Sequence, residues 1–187
     1  MRIESTPLKD CFIIHDTVFG DERGYFFESF NQKRFFEQTG ADISFVQDNQ
    51  SKSSYGVLRG LHFQTGEHTQ AKLVRVLKGV VLDVVVDLRK DSPSFGQSFS
   101  IELSEENHKQ FFVPRGFAHG FVVLSEEAVF FYKCDNYYHK ASEQGIIYND
   151  PYLHIDWKIS EADAILSEKD KVLPTFHHIK DSLNFSL

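Results

Sequence analysis

The segment 71–89, AKLVRVLKGVVLDVVVDLR, contains the strongest strand signal of the chain. In its first half the apolar and charged side chains alternate, so that Lys72, Val74 and Val76 share one face of a strand. Its second half is rich in valine, whose branched Cβ favours extended backbone. Gly79 separates the two halves and is typical of a tight hairpin. The segment therefore predicts two strands, paired with each other through this glycine.

Further β-branched and aromatic runs lie on both sides of this segment, separated by Gly, Pro, Ser and Asp. They span residues 25–30, 43–51, 56–64, 97–103, 109–114, 119–125 and 128–134. Short strands at such regular spacing predict an antiparallel sandwich or barrel. One short helix is predicted between an N-cap at Asn31 and a stop at Gly40, and another behind Ser160. We expect a mainly β protein with short helices near both ends.

The composition predicts one folded domain spanning residues 1–187. Of the 187 residues, 41% are apolar and 14% aromatic, which is sufficient for a sizeable core. No repeat, linker or low-complexity run divides the chain. Cys11 and Cys134 are too few and too far apart for a disulfide framework or a cysteine-based zinc site.

The charge and the N-terminus restrict the partners and the location. With 27 acidic and 20 basic residues the formal net charge is −7, which argues against nucleic acid as the main partner. The first ten residues lack the apolar core of a signal peptide. The longest apolar run is interrupted by Asp83 and is too short to span a membrane. We expect a cytoplasmic protein that does not bind membranes.

The segment GVLRGLHFQ, residues 56–64, places three polar side chains within an apolar strand. Strict alternation would direct Arg59 and His62 to opposite faces of that strand, whereas a bend at Gly60 would bring both to one cavity. An unpaired cation in an apolar strand is costly. We therefore interpret Arg59 and Lys72, together with Arg23 beside a glycine turn, as candidate ligand contacts.

Three roles are open to His62: a metal ligand, a proton-transferring base or a structural residue. GLHFQ and the later VPRGFAHGF resemble the two motifs of cupins, whose metal-binding members have a second histidine where this chain has Gln64. His62 and His119 without a carboxylate form a poor ligand set for iron or zinc, so no metal is expected. As a base, His62 needs an acidic partner, and the segments VVVDLR, YNDP and SEKD all offer one.

A tyrosine is a plausible proton donor to accompany such a base. YKCDNYY, residues 132–138, contains three tyrosines, which are also compatible with a role in the core. The polar residues Gln47, Asp48 and Asn49 directly follow the apolar pair Phe45 and Val46. They are candidate hydrogen-bonding partners of a ligand.

Taken in order, the motifs resemble the dTDP-4-dehydrorhamnose 3,5-epimerases over roughly residues 10–175. The matching segments are 18–31, 45–64, 71–96, 103–125, 132–138, 149–157 and 166–170. The resemblance implies a cupin-type, jelly-roll-like antiparallel β-barrel, a homodimer and no cofactor. It also implies that dTDP-4-dehydro-6-deoxy-D-glucose is inverted at C3 and C5 to give dTDP-4-dehydro-L-rhamnose.

The resemblance also assigns roles to individual residues. It implies His62 as the base, Asp170 as its support and Tyr132 as the acid, and Lys72 is our candidate for the cation near the substrate's O4. Tyr138 matches the tyrosine that stacks on thymine. The remaining implied substrate contacts are Arg23, Glu28, Gln47, Asn49, Arg59, Lys72, His119, Glu143 and Lys169.

Other functions remain open at this point. An enzyme acting on the same kind of sugar nucleotide could invert only C3, or move the ketone between C3 and C4. The position of Tyr132 in YKCDNYY favours double inversion. Two further alternatives are a metal-dependent cupin enzyme and a sugar-binding barrel without catalytic activity.

Overall fold

The structure is a computed structural model that describes residues 1–185. The strands are β1 (Arg2–Ser5), β2 (Phe12–His15), β3 (Phe19–Asp21), β4 (Gly24–Phe26), β5 (Gln47–Ser54), β6 (Leu58–Gln64), β7 (Lys72–Lys78), β8 (Val80–Asp87), β9 (Ser98–Ser104), β10 (Lys109–Val113), β11 (Phe117–Val123), β12 (Glu127–Cys134) and β13 (Glu143–Gly145). The helices are α1 (Gln32–Thr39) and α2 (Phe176–Ile179). The predicted mainly β architecture with short helices near both ends is confirmed.

Two antiparallel sheets enclose the central core. A six-stranded sheet has the order β1-β2-β10-β7-β12-β5, and a five-stranded sheet has the order β13-β6-β11-β8-β9. Both sheets contribute side chains to one buried cluster, because alternate residues of each strand point inward. Members of this cluster include Val74, Val76, Val85, Phe111 and Phe130. β3 and β4 form a separate hairpin.

The outer faces of both sheets are also covered. Phe35 of α1 packs with Leu73 and Phe112 on the six-stranded sheet. On the five-stranded sheet, Leu61 and Phe63 belong to a cluster with residues of the C-terminal segment. Because both faces of the central strands are buried, their positions are fixed by packing on two sides.

The hairpin predicted at Gly79 is wrong. β7 pairs with β10 and β12, whereas β8 pairs with β9 and β11 in the other sheet. Gly79 has a φ of 78° and allows the chain to pass from one sheet to the other. Both edges of β8 are occupied by β9 and β11, which leaves no edge for β7. Val81, Val84, Val85 and Val86 are all fully buried, as is typical of such a central strand.

The first predicted helix is confirmed and the second is wrong. Asn31 caps α1 by accepting a hydrogen bond from the Arg34 N–H at 3.1 Å, and Gly40 ends the helix with a φ of 71°. Behind Ser160 the chain forms only a 3-10 turn at Glu161–Asp163. Two hydrogen bonds join Ile165 to the 56–58 segment and hold it extended, which interrupts any longer helix.

The bend considered at Gly60 is present. The pairing of β6 with β11 shifts between His62 opposite His119 and Arg59 opposite Phe121. As a result Leu61 and Phe63 face the outer core, whereas Arg59 and His62 both line the same cavity. The shift changes the alternation of side chains along the strand.

Candidate active site

A cavity of about 570 Å³ opens between the two sheets. β6 and β11 form one wall, β5, β7 and β12 form the other, and residues 165–170 cover one side. Nine of the residues singled out from the sequence line it: Asn49, Arg59, His62, Lys72, His119, Tyr132, Glu143, Lys169 and Asp170. The fold thus brings together side chains from segments far apart in sequence.

His62 is paired with Asp170 at the cavity wall. The Nε2 of His62 lies 2.6 Å from the Oδ1 of Asp170, whose side chain is only 4% exposed. Burial raises the pKa of Asp170, but the hydrogen bond and charge of His62 and the hydrogen bond from Ser167 outweigh it, and the net shift is downward. An ionised Asp170 can only accept, so we assign the proton to Nε2 of His62. Nδ1 then carries the free lone pair of a base.

The other two aspartates considered as partners for His62 have structural roles. Asp87 accepts hydrogen bonds from Arg89, Ser92 and Ser94. Asp150 accepts backbone N–H groups, among them that of Phe176 at the start of α2. Of the three segments left open from the sequence, only SEKD supplies a partner.

A second histidine–aspartate pair lies beside the first. His119 is opposite His62 in the pairing of β11 with β6, and its Nε2 is 2.8 Å from the Oδ2 of Asp83. Asp83 is fully buried, and among residues 1–185 its Oδ1 has no hydrogen-bond partner. Burial raises the pKa of Asp83, with His119 and Lys72 opposing it. Sequence reasoning missed Asp83, although a carboxylate within VVLDVVV was a usable signal.

Lys72 and Tyr132 occupy the opposite sheet. The Nζ of Lys72 lies 5.7 Å from the centre of the Tyr132 ring. Burial lowers the pKa of Lys72. Neighbouring groups, among them Asp83 and Glu143, oppose this shift without reversing it. Burial also raises the pKa of Tyr132 to about 12, so that the phenol keeps its proton near neutral pH. A proton donor and a cation therefore face His62 across the cavity.

A network of hydrogen bonds surrounds the mouth of the cavity. Glu143 binds the Nζ of Lys169 at 2.9 Å and accepts a hydrogen bond from the Tyr138 hydroxyl at 3.1 Å. Gln47 accepts the backbone N–H of Tyr138 and donates to Asn49. Tyr138, which is half exposed, is thus held beside the opening without lining the cavity.

Comparison with known proteins identifies the family to which this chain belongs. The profile of the dTDP-4-dehydrorhamnose 3,5-epimerase family matches residues 5–178. The dTDP-4-dehydrorhamnose 3,5-epimerase of Salmonella typhimurium is 53% identical over 174 residues, which are 93% of this chain and 94% of that protein. The chain belongs to the dTDP-4-dehydrorhamnose 3,5-epimerase family. It is therefore an isomerase, as predicted.

Solved structures of two similar epimerases give the same fold. That of Elizabethkingia anophelis is 64% identical, with a TM-score of 0.92 over 95% of this chain and 97% of the other. That of Legionella pneumophila, solved in complex with dTDP-4-keto-L-rhamnose, is 49% identical, with a TM-score of 0.94 over 100% of this chain and 98% of the other. The predicted cupin-type barrel is confirmed.

Three residues predicted to contact substrate lie away from the cavity of this epimerase. Arg23 is exposed on the β3–β4 hairpin and paired with Asp21. Glu28 is paired with Arg34 of α1, at 3.2 Å. Asp48 is exposed and paired with Lys133 at 2.9 Å. Within a single chain, none of the three reaches the His62 cavity.

Other features of the epimerase bear on metal binding and on membranes. Residues 1–185 contain no group of three His, Cys, Asp or Glu side chains able to hold a metal ion. Gln64, at the second histidine position of the cupin motif, accepts the backbone N–H of His139. Within the same range no helix is long and apolar enough to cross a membrane.

Proposed function

We propose that this chain inverts C3 and C5 of dTDP-4-dehydro-6-deoxy-D-glucose and produces dTDP-4-dehydro-L-rhamnose. The proposal is supported above all by the His62–Asp170 pair on one wall of the cavity, with Lys72 and Tyr132 on the facing wall. A base and an acid on opposite sides suit inversion, because a proton must leave one face of a carbon and return to the other. The similarity to epimerases over most of the chain supports the same reaction.

The first step is removal of a proton from carbon. A proton on C3 or C5 is acidic because the C4 ketone can take up the charge as an enolate. Nδ1 of His62 accepts this proton while Nε2–H remains bonded to Asp170. The ionised carboxylate stabilises the imidazolium that forms and keeps the ring oriented.

The second step places a proton on the opposite face. Lys72 provides a positive charge beside the developing enolate oxygen, in a partly buried position where electrostatic stabilisation is stronger than in bulk water. Tyr132 then donates its phenolic proton to the carbon. His62 passes its proton to solvent and Tyr132 recovers one, so the enzyme is ready for the second carbon.

The nucleotide would bind along the mouth of the cavity. Tyr138 stacks on the thymine ring, and Arg59 and Lys169 are cations at the cavity available to the diphosphate. Asn49 and His119 contribute hydrogen-bonding groups, and Gln47 lies beside Asn49. In this arrangement, polar side chains that the fold brings together at the cavity bind the nucleotide.

We further propose that the functional unit is a homodimer. Arg23 and Glu28 can meet a substrate only if a second copy presents them, since neither lines the cavity of its own chain. The hairpin that carries Arg23 also exposes Phe19, Tyr25 and Phe26, each more than 60% exposed in the single chain. Such an aromatic surface beside a charged tip suits contact with another protein surface.

Proton exchange in D2O tests the reaction. NMR of the substrate with the wild-type protein is expected to show deuterium at both C3 and C5. His62→Ala should lower exchange at both positions by about 10²- to 10⁴-fold, the usual contribution of a general base. Tyr132→Phe should suppress completed inversion more strongly than exchange, because it removes the acid and leaves the base.

The control is Tyr137→Phe, the same substitution at an exposed tyrosine five residues further along the chain. It is expected to leave both rates unchanged. Deuterium at C3 alone would indicate a 3-epimerase. Persistent exchange in His62→Ala would place the base elsewhere, and absence of exchange with the wild-type protein would exclude this class of reaction.

A further inference from the structure

Two glutamines from opposite sheets hold the backbone beside the cavity mouth. Gln47 of β5 accepts the N–H of Tyr138 at 3.1 Å, and Gln64 of β6 accepts the N–H of His139 at 3.1 Å. These are consecutive peptide groups, and β5 and β6 belong to different sheets. Both walls of the barrel therefore fix the backbone from which the Tyr138 ring projects.

Gln64 is the more unusual of the two, because it is buried. Its exposed fraction is 6%, and it lies on the same strand as His62 but does not line the cavity. Burying an amide is unfavourable unless its polar atoms form hydrogen bonds. The bond to His139 therefore gives this buried side chain a physical role other than contact with a ligand in the cavity.

The Tyr138 ring depends on this backbone for its position. The residue is 50% exposed, and the hydrogen bond of its hydroxyl to Glu143 is also exposed. An exposed side chain gains little orientation from packing, so the direction of its Cα–Cβ bond decides where the ring can lie. That direction is set by the peptide groups that Gln47 and Gln64 hold.

We propose that Gln64 is a positioning residue for nucleotide binding, which acts by fixing the Tyr138–His139 backbone so that the Tyr138 ring can stack on the base. The inference rests on the proposed function, in which Tyr138 stacks on thymine. It gives a role to the side chain that occupies the place of a second cupin histidine. Gln64 touches neither the reacting carbons nor the nucleotide in this role.

The test uses Gln64→Leu, which keeps the approximate volume and removes the acceptor. Titration calorimetry with dTDP is expected to show about fivefold to tenfold weaker binding, the effect of one buried hydrogen bond. The KM for the sugar nucleotide should rise by a similar factor, while kcat at saturating substrate stays within about twofold, since His62 and Tyr132 are untouched. Gln144→Leu, the same change at an exposed glutamine of β13, should leave all three values at wild-type level.

A double-mutant cycle separates positioning from general damage. In a Tyr138→Ala background the ring is absent, so adding Gln64→Leu should weaken dTDP binding no further. Additive losses would show that Gln64 acts independently of the ring and would overturn the proposal. Equal dTDP affinity of Gln64→Leu and wild-type protein would overturn it as well.

The melting temperature of each variant is measured alongside binding. Gln64→Met, which is unbranched like glutamine, replaces the leucine variant if that variant does not fold. If neither folds, Gln64 is required for the fold rather than for the ring, and the proposal fails. Failure of the wild-type protein to bind dTDP would instead refute the proposed function, so the two failures are distinguishable.

Discussion

At the scale of single residues, the protonation of Tyr132 is the property most directly set by its surroundings. A phenol serves as an acid only while it holds its proton, and burial disfavours the phenolate. The pKa of Tyr132 is raised to about 12, chiefly by burial and also by Cys134 and Glu143, with Arg59 opposing. Tyr132 therefore keeps its proton at neutral pH and well above it, and remains a proton donor there.

A difference titration can measure this shift. The absorbance of phenolate near 295 nm, recorded for wild-type protein minus Tyr132→Phe, should show no ionisation of Tyr132 at pH 10, where an ordinary tyrosine is half ionised. Because its folded pKa is raised, Tyr132 favours the folded state below pH 10, and this contribution is lost as pH rises towards 12. The wild-type protein should therefore lose stability between pH 10 and 12 more steeply than Tyr132→Phe. A midpoint near 10 would contradict the prediction.

At the scale of secondary structure, the bend in β6 determines whether Arg59 and His62 share a cavity. Gly60 has a φ of 123°, and a Cβ added there would lie 2.5 Å from the Cα of Gly120 and 2.8 Å from the carbonyl oxygen of His119. Both contacts are with backbone atoms of the neighbouring strand, which cannot move without disturbing His119. Glycine at this position therefore allows β6 to pack closely against β11 while Arg59 and His62 both reach the cavity.

Gly60→Ala should lower the free energy of unfolding by at least about 2 kcal/mol, because strain in φ and overlap with β11 add together. The matched control is Gly24→Ala, since Gly24 has nearly the same φ, of 126°, but a Cβ there meets nothing within 4 Å. This control should cost about 1 kcal/mol, the effect of the backbone conformation alone. Urea denaturation measures both values, and equal losses would show that the contact with β11 is unimportant.

At the scale of the whole molecule, the distance of Arg23 and Glu28 from the cavity requires an explanation if they contact substrate. The hairpin that carries Arg23 is exposed and aromatic in the single chain. A two-fold dimer would present the same surface on both copies and would give two equivalent sites. The proposed assembly thus makes each site depend on both chains.

Mixing two inactive variants tests that dependence. If Arg23 acts across the dimer, Arg23→Ala and His62→Ala proteins unfolded and refolded together should recover about a quarter of wild-type turnover, because half of the random dimers contain one intact site of two. Sedimentation measures the oligomeric state in parallel. If Arg23 acts within its own chain, no mixed site is intact and turnover should not recover. A monomer in sedimentation would also refute the proposed homodimer.

Much of the fold was predictable because its signals are local. The capping side chain of Asn31 and the left-handed Gly40 define α1 within a few residues. The valine-rich run of β8 indicates a strand, but the same run does not say which strand lies beside it. The glycine at position 79 is compatible with a hairpin and with a crossing between sheets, and only the pairing of β7 and β8 in different sheets distinguishes them.

The sequence by itself determined the strand-forming segments, the helix at Asn31 and the cations and histidines placed within apolar runs, because each depends on neighbours in the chain. Local patterns left Asp87, Asp150 and Asp170 open as partners of His62, and only the resemblance pointed to Asp170. The tertiary structure brings Asp170 to His62 across 108 residues of chain. It also decided that Asp83 pairs with His119. These contacts depend on how the two sheets pack against each other. That packing is determined by the burial of side chains throughout the fold, and no local sequence pattern specifies it.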